Sequence, residues 1–64
     1  MRVRRRTARL VRHWVSRFRG SDDETLRVYH RYAYAIYYRP EAEIIRRVCR
    51  SELRRRDEAD RRAS

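Results

Sequence analysis

The stretch SDDETLRVYHRYAYAIYYR, residues 21–39, decides the fold. Gly20 precedes it and Pro40 ends it. Ser21 and Glu24 have the capping-box spacing, in which each side chain satisfies a free backbone N–H at a helix start. Asp22 and Asp23 add negative charge at the positive end of the helix dipole. Leu26, Tyr29, Ala33, Ile36 and Tyr37 recur at i, i+3, i+7, i+10 and i+11, which is one helical face. Val28, Tyr32 and Ala35 widen that face beyond half the circumference, and a helix so apolar is covered on more than one side. The stretch also holds all five tyrosines of the chain. A tyrosine combines a large apolar body with a hydroxyl that still needs a polar partner, which suits core and interface packing. Beside arginines, the same rings can stack on bases or guanidinium groups.

C-terminal to this stretch, Pro40 suits a helix start, where its missing N–H is no loss. Ala42, Ile44, Ile45, Val48, Cys49 and Leu53 cover one half of a second helix. The other half is charged, and Glu43–Arg47, Glu52–Arg56, Asp57–Arg61 and Glu58–Arg62 are acid-then-base pairs at i, i+4, each worth a few tenths of a kcal/mol. The apolar stripe stops at Leu53, leaving RRRDEADRRAS as a solvated or RNA-facing end. Residues 21–64 therefore read as a helical hairpin, its helices spanning about 22–39 and 40–60.

The N-terminal residues 1–20, MRVRRRTARLVRHWVSRFRG, carry eight arginines and no acid, whereas the rest of the chain has eleven arginines against nine acids. From Leu10 onward Leu10, Val11, Trp14, Val15 and Phe18 keep helical spacing, so this arm contains an amphipathic helix with a basic face. Arg2 to Arg6 lack such a pattern and read as an extended tail. Three roles compete for the arm: a mitochondrial targeting peptide, a nucleic-acid-binding segment, and a helix lying on an anionic membrane surface. As a nucleic-acid contact it would use Arg2, Arg4, Arg5, Arg6, Arg9, Arg12, Arg17 and Arg19. The expected protein-interface residues are Trp14, Phe18, Tyr29, Tyr32, Ile36 and Tyr37.

Sixty-four residues make at most one small domain, and the net charge is +10 with every basic residue an arginine. Arginine's planar fork binds phosphate bidentately, and a charge of this sign favours a polyanionic partner, nucleic acid above all. So short a chain buries a limited share of its surface. No disulfide framework is available, since Cys49 is the only cysteine. The hairpin core is thus not self-sufficient, and order is expected mainly within a larger assembly. A lone cysteine fits a reducing compartment. No apolar run approaches the ~20 residues of a membrane span. Gly20 is the only glycine, so no glycine-rich phosphate loop exists. No Ser/His/Asp, paired-carboxylate or metal-ligand pattern is present, so no cofactor and no enzymatic activity are expected.

The two later helices resemble the LYR family of small mitochondrial proteins. The matching string is Leu26-Arg27-Val28-Tyr29-His30, in which Val28 stands for the family's leucine, Tyr29 matches, and His30 stands for its arginine. Residues 43–55, EIIRRVCRSELRR, resemble the family's arginine-rich second helix, with Leu53 in the late hydrophobic position. The family's third helix would follow, beyond the last residue here. The resemblance covers about residues 25–60. It implies a mitochondrial helical adaptor within a ribosome, a respiratory complex or ATP synthase, with acyl carrier protein as a family partner.

These readings converge on an all-α chain acting as a structural subunit of a ribonucleoprotein. A mitochondrial ribosome, in the matrix, fits best: the arm would hold rRNA phosphates and the tyrosine-rich helix would dock on neighbouring subunits. The alternative is an LYR-like accessory subunit or assembly factor of a respiratory complex or ATP synthase. A small DNA-binding protein ranks behind both, because Arg39-Pro40 lacks the glycine turn of a helix-turn-helix and no helix pairs base-reading side chains with a compact core.

Overall fold

A computed structural model describes residues 5–63 as three α-helices and no strand. They are α1 (Arg5–Arg19), α2 (Asp23–Ile36) and α3 (Arg39–Ala63), and the all-α class read from the sequence is what the chain adopts. The longest helix, α3, packs against both of the others.

The start of α1 differs from the expected extended tail, for Arg5 and Arg6 are already helical. Arginine is among the better helix formers, so basic residues ahead of an amphipathic segment extend it readily. Arg2 and Arg4 lie outside the described residues.

The cap of α2 lies one residue further on than the capping-box spacing predicts. Asp22, not Ser21, caps α2: it has extended backbone angles, and its Oδ1 accepts the Thr25 N–H at 2.9 Å. Hydrogen bonding from the Thr25 side chain, and then from its N–H, holds the Asp22 carboxyl below its usual range. Ser21 closes the preceding helix instead. Its hydroxyl donates to the Arg17 carbonyl at 3.0 Å and its N–H to the Phe18 carbonyl at 3.1 Å. Ser21 thus takes up carbonyls that a helix end leaves without partners.

At its far end α2 stops at Ile36, short of Arg39; Tyr37 turns to extended geometry while its N–H still reaches the Ala33 carbonyl at 2.9 Å. Pro40 then falls in the first turn of α3, where proline is tolerated.

The core draws on all three helices. Trp14 and Phe18 of α1, Leu26 and Ala33 of α2, and Ala42, Ile45, Val48 and Cys49 of α3 are buried. Val11, Val15, Tyr29, Tyr37, Ile44 and Leu53 pack around them, half-buried. Two expected interface residues, Trp14 and Phe18, are therefore spent inside the chain. The basic arm is a third wall of the core rather than an appendage to a hairpin, which gives this chain more buried apolar area than the hairpin alone would have.

An aromatic cluster welds α1 to α2. The Trp14 ring lies 5.2 Å from Phe18, 5.8 Å from Tyr29 and 5.5 Å from Tyr37, the last edge-on, and Phe18 lies 5.3 Å from Tyr29. Such tilted and edge-on pairs add about 0.5–1.5 kcal/mol each beyond area burial. Burial, and then the neighbouring Tyr29, raise the Tyr37 phenol above its usual range. Cys49 sits deep in the core, where burial pushes its thiol up to about 11. It stays protonated at neutral pH and acts as a small apolar side chain.

Candidate nucleic-acid interface

Burying Trp14, Phe18, Val11 and Val15 turns the opposite face of α1 outward. Arg5, Arg9, Arg12 and Arg19 follow i, i+4, i+7 and i+14, so they fall on that one outer stripe. All four are exposed, as is Arg6 beside them. Among the described residues, none of the five pairs with a carboxylate. The helix itself has no acid to supply one. Guanidinium groups in such a row repel one another, and an anion relieves that repulsion.

Arg17, expected to bind nucleic acid, is engaged elsewhere. Its Nη2 donates to the Tyr29 hydroxyl at 3.0 Å, and its guanidinium lies 5.4 Å from the Trp14 ring centroid and 5.7 Å from that of Tyr29. It closes the aromatic cluster on the solvent side, and no phosphate contact is assigned to it.

A second basic surface, which the sequence reading passed over, lies where α2 meets α3. The Arg46 guanidinium lies 5.0 Å from the Tyr34 ring centroid. Tyr34, Arg46, Arg47, Arg50 and Glu43 line a shallow pocket of about 270 Å³. His30, one turn before Tyr34, is held below its ordinary value, first by burial and then by Arg46 and Arg50, so it is uncharged at neutral pH. The periodic signal was available: Arg46, Arg50 and Arg54 recur every four residues. Their intercalation with acids obscured it.

The acids of α3 are disposed mostly away from these cations. Glu52 is buried, chelated by Arg55 at 2.7 Å and Arg56 at 2.9 Å. Asp57 takes Arg61 at 3.2 Å. Glu43 leans toward Arg39 at 3.6 Å, not toward the expected Arg47.

Of the expected interface residues, Tyr29 and Tyr37 are half-buried in the cluster, while Tyr32 is 49% exposed and Ile36 72%. With Val28, 49% exposed, Tyr32 and Ile36 form a stripe at i, i+4 and i+8 on the side of α2 away from the core. In the Leu26–His30 string, Leu26 is core and Tyr29 is the aromatic bridge to α1. A groove of about 650 Å³ runs between α1 and α3, floored by Val11, Val15, Ile44 and Val48 and edged by Arg19 and Arg55.

No group of three or more potential metal ligands occurs among the described residues, and no described helix is long and apolar enough to cross a membrane. No family model matches the sequence, and neither curated proteins nor solved structures provide a significant relative.

Proposed function

We propose that this chain is a structural subunit of a ribonucleoprotein, holding RNA phosphates on the outer stripe of α1 and a protein neighbour on the outer stripe of α2. The observation that carries the reading is the row Arg5, Arg9, Arg12 and Arg19, exposed on a helix without acids and unpaired within the described residues. Phosphate contacts position a protein on nucleic acid and carry no sequence information. The chain is accordingly a scaffold and charge neutraliser, with specificity supplied by the particle around it. The arginine-rich, acid-free N-terminal segment and the resemblance to mitochondrial LYR proteins favour a mitochondrial ribosome as that particle.

The test is RNA binding as a function of salt. Each phosphate neutralised contributes about 0.7 to the logarithmic salt slope on single strands and about 0.9 on a duplex. Replacing Arg5, Arg9 and Arg12 together by alanine lowers the slope by about two to three and weakens binding evenly across sequences. An unchanged slope overturns the assignment of α1 to RNA.

A further inference from the structure

The seam between α2 and α3 sets an aromatic ring into a basic depression, a combination that the α1 stripe lacks. Tyr34 and Arg46 face each other across the seam, and Arg50, one turn along α3, lines the same pocket. The Tyr34 ring has a guanidinium on it, yet half of the residue remains exposed. The Arg46 Nε is buried and finds no acceptor among the described residues. Arg54 continues the row, also exposed, so the guanidinium groups of Arg46, Arg50 and Arg54 rise along α3 in steps of about 6 Å. The Glu43 carboxylate lies on the pocket rim at the Arg39 end, which leaves the Arg50 end as the favourable place for an anion.

We infer that this seam is a nucleotide subsite for single-stranded RNA, with an unstacked base lying on Tyr34 and the adjoining phosphates on Arg50 and Arg54. The inference rests on the RNA reading above and adds a second contact, on different helices, that reads strandedness. Base–aromatic stacking tolerates any sequence, because every base has a π face, and guanidinium groups add cation–π attraction. Bases inside a duplex are covered on both faces and only its two ends are open, so the subsite favours single strands over duplexes. A neutral His30 beneath the seam spares the site one further cation that would have no partner when RNA is absent.

The experiment compares a single-stranded RNA 12-mer with the same strand in a blunt duplex, by fluorescence anisotropy with the full chain and its Tyr34→Leu and Tyr34→Phe variants. Tyr34 is half-exposed, so both variants keep the core; circular dichroism checks this. The expected result is a loss of about 5- to 100-fold in single-strand affinity for Tyr34→Leu, little loss for Tyr34→Phe, and no change for either on the duplex. If Tyr34→Leu binds the single strand as the parent does, or weakens both RNAs equally, the subsite falls while the α1 assignment stands. If the parent chain binds neither RNA, the proposed function falls and takes the subsite with it.

Discussion

Glu52 aims Arg56. The buried Glu52 carboxylate accepts the Arg56 Nε–H at 2.9 Å, which turns both terminal nitrogens of the guanidinium toward the corner between α1 and α2. There Nη2 donates to the Phe18 carbonyl at 2.9 Å and the Ser21 carbonyl at 2.6 Å, and Nη1 to the Asp23 carboxylate at 2.6 Å. One side chain of α3 thereby satisfies the exposed carbonyl end of α1 and ties it to the first turn of α2. A cation at a helix C-terminus also meets the negative end of the dipole.

Replacing Arg56 with alanine is expected to lower the thermal midpoint more than replacing Arg55, whose guanidinium meets only Glu52 among the hydrogen bonds described. Arg56→Lys does not rescue, because a single ammonium cannot serve both carboxylates and the corner carbonyls in the geometry of a planar fork. Helix melts followed by circular dichroism in about 0.5 M sodium sulfate, which strengthens burial and screens the net charge, measure the ranking. Equal midpoints for the two alanine variants would show that the corner is held by packing alone.

Acid should weaken the same lock. Hydrogen bonds from Arg55, then Arg56, hold the Glu52 carboxyl below its ordinary value of 4.5 against the opposing effect of burial. A carboxylate with a depressed folded-state pKa stabilises the fold above its unfolded value and loses that contribution as pH falls through the folded one. Glu52 therefore contributes a decline below about pH 4.5, which adds to the one that His30, also held below its ordinary value, begins below about pH 6.5. In Glu52→Gln the decline below pH 4.5 is shallower, since the paired carboxylate is gone. Denaturation midpoints between pH 3 and pH 7 decide it; parallel curves for parent and variant would contradict the lock.

Phe18 is fully enclosed where α1 meets the other helices. Phe18→Ala costs about 3–5 kcal/mol, a large part of what a chain this size can hold. A chain this short has little stability to spare, so Phe18→Ala is expected to abolish the cooperative melt even in sulfate. A cooperative transition surviving in Phe18→Ala would show that α1 is not integral to the core.

Ile36→Glu tests the outer stripe of α2. The side chain is 72% exposed, so stability of the isolated chain changes by no more than about 0.5 kcal/mol. Incorporation into the assembled particle, followed by co-purification, should fall sharply because a charge would be buried against the neighbour. Normal incorporation would remove α2 as the docking face.

The helical periodicity of residues 26–37 and 42–53 was legible, since apolar residues at three- and four-residue spacing leave little choice of structure. What the sequence concealed was where each face points. Trp14 and Phe18 are expected from the sequence to face a partner, and their burial depends on α1 folding back, which no local signal specifies. The spacing points to Ser21 as the cap of α2, but its hydroxyl is used on the Arg17 carbonyl and Asp22 caps the helix instead. Glu52–Arg56 has the spacing of an ordinary surface pair. Its burial follows from a corner contributed by residues more than thirty positions away, beyond the reach of any i, i+4 rule.

The reach of Arg56 back to Phe18 also fixes an order of events during synthesis. A chain growing from its N-terminus completes α1 and α2 well before residue 56 exists. Until then the angle between the two helices is set by the ring contacts and the Arg17–Tyr29 hydrogen bond alone, and the Ser21 carbonyl waits for its Arg56 partner. Contacts this distant in sequence close late, because the entropy of the intervening loop must first be lost. The nascent chain thus presents the arginine face of α1 on a loosely jointed helical pair before its own architecture is locked.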